Sequence, residues 1–351
     1  MSNARDLFRK HRWWITRIAI LPLHLLVFAV VVFFLVRALP GDPVMSMTEG
    51  ELTEGQYEKV EEALGLSGST AEQLRTFLGN VVTLDLGESI YTGRSVTSEF
   101  RDRVPATMEL ALLGLTGTVT AAMVGAYVVV MRPRSIPARI LRVYTRTAGA
   151  VPFFVLAVIG IYVFYARLRW APAPIGRIDS SLSMPDRLTG FPLLDSVLRG
   201  KFDVTRDMAA HLVLPVGALV IAQADVLMKL LVSGLEEAVD APQTRFRVAS
   251  GANRRTVVLS VYRRALPAMV TMSGTMFGYL IGGAVVLESL FGLGALGRYA
   301  VEAVTSKDIV ALQGFLLVAA AMALLVFMLV DLVNMFLDPR RRPGVRTEVA
   351  K

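Results

Sequence analysis

Six long apolar stretches, separated by segments that hold most of the charge, constrain this chain more than anything else in it. They run from Trp13 to about Val36 and over about 106–131, 143–166, 208–232, 266–290 and 309–337. A bilayer core about 30 Å thick is crossed by roughly 20 apolar residues of helix. Hydrocarbon offers the backbone no partner, so a crossing segment must satisfy its own hydrogen bonds. The chain therefore reads as an all-α membrane protein of six transmembrane helices. The first stretch follows Arg5, Arg9, Lys10 and Arg12, as the apolar part of a leader peptide would. It is too long for that role and no small-residue cleavage site follows, so it reads as the first span, with Trp13 and Trp14 at the interface.

Charge sets the orientation. Residues 38–104 carry five basic residues against twelve acidic ones and are expected outside the cytoplasm. Residues 132–142 carry Arg132, Arg134, Arg139 and Arg142 and no acid, so they are expected inside. Between the fourth and fifth stretches stand Arg245, Arg247, Arg254, Arg255, Arg263 and Arg264, again an inside loop. Loop 291–308 falls outside. The tail, with Arg340, Arg341, Arg342, Arg346 and Lys351, falls inside, so both termini are expected to be cytoplasmic. One segment strains the pattern. Residues 167–207 must lie outside, yet they hold seven basic residues against five aspartates.

The same bias accounts for the net charge of +8 without nucleic acid. The absence of cysteine rules out disulfides and thiolate metal sites. His11, His24 and His211 show no metal-ligand spacing, and no GxxxxGK[ST] loop exists to cradle nucleotide phosphates. No catalytic, cofactor or metal site is expected in the chain. The expected organisation is an N-terminus and first span over 1–37, an outer loop over 38–104, a five-span core over 105–338 and a tail over 339–351. Helical patterning over 56–66 and 71–82 makes the outer loop a small helical cap.

The arginine-rich segment has internal order. Glu236, Glu237 and Ala238 open it on a helical pattern, and Ala249 and Gly251 form a small-residue turn. Val257, Val258 and Val261 then recur at helical spacing, and Leu266-Pro267 closes the segment where a proline would end or re-aim a helix. Helix, turn, helix is a shape that can be pressed into a partner's groove. Its bland alternative is a solvated basic loop.

This pattern resembles the EAA loop of ABC-transporter permeases, matched here by Glu236, Glu237, Ala238, Ala249, Gly251, Leu266 and Pro267 within a 233–265 loop. Other matches follow in family order. Leu39-Pro40-Gly41-Asp42-Pro43 resembles the LPGDP signature. Leu84 to Ser89 and Tyr91 to Val96 resemble the DLG-S and TGR-PV segment. Val104 to Leu110 resembles the LPATLEL entry to the second span. Thr189-Gly190-Phe191, Leu194-Asp195 and His211 to Pro215 resemble its TGF, LD and HLILP region. Gly282 to Phe291 with Gly294 to Gly297 resembles the exit of the fifth span, and Asp331 with Asp338-Pro339-Arg340 the C-terminal pattern. The chain is similar to the dipeptide, oligopeptide and nickel permease family, and to the first permease of each pair. It departs from it at Val232, Pro242-Gln243 and Ser250.

The resemblance implies a type I (MetI-like) importer permease fold in the plasma membrane. It implies a second permease subunit, two ATP-binding subunits that hold the ATP and magnesium, an extracytoplasmic solute-binding protein and a peptide cargo. Nickel or another small solute is the alternative cargo, and an orphan or regulatory permease-like subunit the alternative role. A passive channel would need a selectivity ring, and a secondary transporter inverted repeats around an ion site. A membrane enzyme would need a convergent polar set. None of these is visible. Charges inside spans are functional candidates, so Asp225 (with Lys229 one turn on) and Glu288 are candidates for the path or its gate. Met276 and Gly282 join them from the fifth span, which lines the path in this family. Gly278, Gly282 and Gly283 give that span a face for close packing.

Overall fold

The structure, a computed structural model, describes residues 2–38, 55 and 67–337. The motif at 39–43, the expected helix over 56–66 and the tail after 337 lie outside the described residues. The first apolar run is α1 (Ser2–Arg37). A cap helix, α2 (Thr70–Val82), follows, started by a capping box in which Ser69 and Glu72 satisfy each other's backbone N–H groups. The second span is α3 (Val96–Met131). An amphipathic helix, α4 (Ile136–Thr147), is capped by Ser135 and leads into a break at 148–152. The third span is α5 (Phe153–Gly160), continued by seven residues of π-helix to Arg167. Then come the short α6 (Pro192–Leu198), the fourth span α7 (Phe202–Asp240), the short α8 (Pro242–Ala249) and the fifth span α9 (Arg254–Leu290). Finally α10 (Leu296–Thr305) precedes the sixth span, α11 (Ile309–Leu337). Among the described residues five helices are long and apolar enough to cross a membrane, and the third span is the shorter apolar helix Phe153–Arg167.

The core is built by α7, which packs along α3 on one side and α9 on another, with α5 against it. Helix α11 packs on α9, and α1 on α11. Two buried apolar clusters divide the bundle by height. One, holding Phe100, Leu110, Leu219, Phe277, Leu287 and Leu296, fills the end covered by α2, α6 and α10. The other, holding Ala122, Met228, Leu235, Val261 and Met269, fills the end that carries α8. Exposed apolar residues such as Leu23, Phe34, Leu329 and Phe336 ring the outside, as hydrocarbon-facing positions must.

Several helices outrun the apolar runs that announced them. The second span begins at Val96 because Pro105 does not start the helix but sits inside it. A proline there frees the carbonyl four residues earlier, and that carbonyl, of Arg101, accepts a hydrogen bond from Arg187 at 2.8 Å. The fifth span likewise starts at Arg254, capped by the Asn253 side chain on the Thr256 amide at 2.8 Å, and runs through Pro267 rather than ending there. The 233–265 segment is therefore mostly helix. Polar residues beyond the hydrocarbon keep the helix going, because its bonds are local and water tolerates the side chains. The stretch 143–166 behaves oppositely and is interrupted at 148–152.

The charge strain over 167–207 has a structural answer. Arg177 is buried and pairs with Glu109 of α3 at 3.2 Å, and Arg187 pairs with Asp102 of the same helix. Two of the seven basic residues are paired with acids of the second span and add little to the loop's field.

Candidate functional site

At one end of the bundle, α7, α8 and α9 form a rigid corner. Thr244 donates from its hydroxyl to the Ala238 carbonyl at 2.7 Å in a buried bond, which folds α8 back on the end of α7. Arg264 of α9 reaches Gln243 of α8 at 3.2 Å. The turn after α8 closes with the Gly251 amide on Val248 and the Ala252 amide on Arg247, both at 3.0 Å. Gly251 has φ of +75°, and a Cβ there would meet nothing within 4 Å. Its glycine is needed for left-handed backbone, not for space.

The residues read from the sequence collect at this corner. Glu236 and Glu237 are exposed on the last turns of α7, while Ala238 is buried against the corner. Ala249 ends α8 in solvent, Leu266 is half-buried and Pro267 buried in α9. Glu237, Ala238 and Pro267 line a groove of about 1110 Å³ with Gln243, Arg247, Arg263 and Arg264. Two residues the sequence reading passed over complete the corner. Thr244 is its tether, and Phe246 stands 72% exposed on α8 between Arg245 and Arg247. A short helix flanked by arginines already hinted that an aromatic there has no hydrocarbon to face.

The opposite, capped end gathers the 84–96, 104–110, 189–195 and 282–297 motifs. Asp308, at the start of α11, accepts from the Ser89 hydroxyl at 2.6 Å, the Tyr91 amide at 3.1 Å and the Ala311 amide at 2.9 Å. The 84–95 turn is thereby pinned to the sixth span. Glu109 accepts the amides of Leu193 and Leu194, at 2.8 and 3.3 Å, where α6 begins. Arg177 bonds Glu109 and also the carbonyls of Ala106, at 2.7 Å, and Leu293, at 3.4 Å. Asp195 closes the 188–195 loop, accepting from the Leu188, Thr189 and Gly190 amides and the Thr189 hydroxyl at 2.6–3.2 Å. Burial would push the Asp195 carboxyl up, but the Thr189 hydroxyl and these amides outweigh it and hold it at about 2. Glu109 and Arg177 were not singled out from the sequence. Glu109 is an acid within an apolar run, the same signal that marks Glu288.

The four path candidates do not come together. Glu288 is fully buried, accepting from Thr107 at 2.7 Å and from the Gly297 amide. Asp225 is also fully buried. One of its oxygens takes the half-exposed Lys229 at 2.9 Å and lies against Gly149 in the break before the third span. Met276 is packed in the cluster at the α8 end. Gly282 alone of the four is exposed, with no atom within 4 Å of a would-be Cβ. The glycines of α9 divide: Gly283 packs against Phe153 of the third span, Gly274 against Val330 of the sixth, while Gly278 stays open.

Comparison with known proteins places this arrangement. Residues 115–343 match the family described as binding-protein-dependent transport system inner membrane component, and residues 11–111 match its N-terminal companion family. The chain is 31% identical over 313 residues to "Probable D,D-dipeptide transport system permease protein DdpB" of Escherichia coli, covering 89% of this chain and 92% of that one. It is 28% identical over 312 residues to the di/tripeptide transport system permease protein DppB of Pseudomonas aeruginosa, covering 88% and 92%. It is 27% identical over 312 residues to the dipeptide transport system permease protein DppB of Alkalihalophilus pseudofirmus, covering 89% and 93%. With two family models in register along a multi-span helical bundle, this chain belongs to the inner-membrane permease components of binding-protein-dependent ABC importers.

Proposed function

We propose that the chain forms one half of a path that carries short peptides into the cell, driven through α8 by two partner ATPases. The observation that carries this reading is the α8 corner. An apolar ring, Phe246, is held out from an eight-residue helix that is tied by side-chain bonds to both the fourth and fifth spans. A helix so held passes on a push as a rigid body instead of absorbing it. In this reading the groove beside it receives part of an ATPase, ATP and magnesium stay on that partner, and the α8 end faces the cytoplasm together with both termini. The alternation of basic and acidic segments supports that orientation.

The path itself runs along α9. Its outward stripe, Thr275, Tyr279, Gly282, Val286 and Ser289, recurs at three- and four-residue spacing and is exposed in this single chain. Hydroxyls and glycine suit a water-lined path or a second permease better than lipid. The exposed faces of α1 and α11 are, by contrast, almost wholly isoleucine, leucine, valine and phenylalanine, with His24 the polar exception on α1. The capped end, built by α2, α6 and α10, is the surface offered to a solute-binding protein. Peptide cargo rests on the names of the relatives.

The test uses the complete complex in lipid with its binding protein and a dipeptide. Phe246→Asp is expected to abolish peptide-stimulated ATP hydrolysis while the membrane subunits stay assembled. Undiminished stimulation in that variant would remove α8 from the coupling role.

A further inference from the structure

Helix α4 has three faces. Ala138, fully buried, and Leu141 turn inward, and Tyr144 pins the helix by donating from its hydroxyl to the Ile221 carbonyl of α7 at 2.6 Å. A second face is apolar and bare: Ile136, Ile140 and Val143 are 73, 62 and 60% exposed. They stand four and three residues apart, one stripe of a helix. The third face is basic. Arg139 and Arg146 are exposed on it. Arg142, between them, bonds the carbonyls of Val129 and Pro133, at 3.4 and 3.3 Å, where the second span ends.

The location matters as much as the pattern. Met131, just before α4, lines a pocket with Val248, Ala249 and Val257, so α4 starts at the α8 end of the bundle. From Leu110 to Ile178 the sequence has no acidic residue, while Arg132, Arg134, Arg139, Arg142 and Arg146 crowd into the turn before α4 and α4 itself. A bare apolar stripe beside a bare basic stripe, on a helix at the edge of a membrane bundle, fits one surface. Hydrocarbon takes the isoleucines while phosphate takes the arginines.

We infer that α4 is a docking site for anionic phospholipid in the leaflet at the α8 end, with Arg139 and Arg146 on the phosphates and Ile136, Ile140 and Val143 among the upper acyl carbons. Calling that leaflet cytoplasmic rests on the orientation proposed above. The lipid chemistry does not. Because α4 leads directly into the break beside Asp225, the lipid would also fix the height at which the third span enters the bilayer.

The experiment counts lipids retained by the purified complete complex in detergent, by native mass spectrometry, during titration with phosphatidylglycerol or phosphatidylcholine. The wild type is expected to retain phosphatidylglycerol preferentially. The doubly substituted R139Q/R146Q complex should lose that preference by roughly fivefold per arginine. Ile140→Asn should weaken retention of both lipids. Equal retention of the two lipids by wild type, or unchanged preference in R139Q/R146Q, overturns the inference. So does loss of the second permease from the doubly substituted complex, which would make the stripe a protein interface. No ATP or peptide enters the measurement, so failure of the coupling reading and failure of this one are separate results.

Discussion

Thr107 and Glu288 lie 181 positions apart in the chain, and the Thr107 hydroxyl donates to the Glu288 carboxylate at 2.7 Å. The same hydroxyl oxygen accepts the Leu296 amide at 3.0 Å, so one small side chain joins the second span, the fifth span and the start of α10 in a buried knot. Removing a partner inside such a knot costs more than the bond itself, because the groups left behind stay desolvated.

That gives the first expectation. Thr107→Val keeps the shape and strands both the Leu296 amide and one Glu288 oxygen. A loss of about 2–4 kcal/mol from two stranded buried groups is expected. It should appear as earlier thermal unfolding of the purified complex. Thr107→Ser should recover most of it, since the hydroxyl returns.

The Asp195 loop titrates. Its carboxyl sits at about 2 in the folded loop against an ordinary value of 3.8. A depressed folded value means the stabilisation is complete above about pH 4 and is lost as pH falls from there toward 2. Hydrogen exchange at the amides of residues 188–190 should therefore quicken, beyond the intrinsic rate change, as pH drops through that window. In Asp195→Asn exchange should be fast throughout, with no such step. A step that survives the substitution would assign it to another group.

At Gly251 the series of side chains should follow backbone cost and not size. Gly251→Asn, which tolerates φ near +75°, should keep most peptide-stimulated ATP hydrolysis. Gly251→Ala should cost about 1 kcal/mol in the turn and Gly251→Val more. If Asn and Val were equally damaging, steric contact with a partner would be the better account, since this chain leaves that space open.

Thr244→Val tests the tether independently of the exposed surface of α8. It removes the bond to the Ala238 carbonyl and nothing a partner could touch, because Thr244 is only 3% exposed. ATPase subunits should still bind, while the ratio of stimulated to basal hydrolysis falls. Loss of binding instead would mean that α8 needs the tether simply to fold.

The spans and the ordering of motifs were legible because hydrocarbon imposes a rule on every residue of a crossing helix, and a run such as 309–337 obeys it visibly. The partners of those motifs were not legible. Nothing in the spacing of Ser89 and Asp308, or of Glu109 and Arg177, says that they meet. Buried polar pairs between distant segments leave no periodic trace. Helix ends are hard to read at Pro105 and Pro267, because a proline within a helix looks in sequence like one at its boundary. At Pro105 the freed carbonyl has a donor, Arg187, supplied from 86 residues away. Phe246 and Thr244 lay inside the segment that the sequence singled out, but which residue of a short helix faces out and which one ties it down depends on the corner it sits in.

The third span holds eight residues of α-helix and seven of π-helix. At about 1.5 Å per residue in the α-helix, and less in the wider π turns, it reaches at most roughly 22 Å, several ångströms short of a hydrocarbon core of about 30 Å. Among the described spans this one is short, which gives the chain a hydrophobic mismatch on its flank. Lipid beside that flank must thin locally, or a neighbouring subunit must take its place, while the long helices α9 and α11 demand full thickness on theirs. The importer would then sit in a bilayer of graded depth, and its tilt would respond to acyl-chain length in a way that a bundle of equal spans would not.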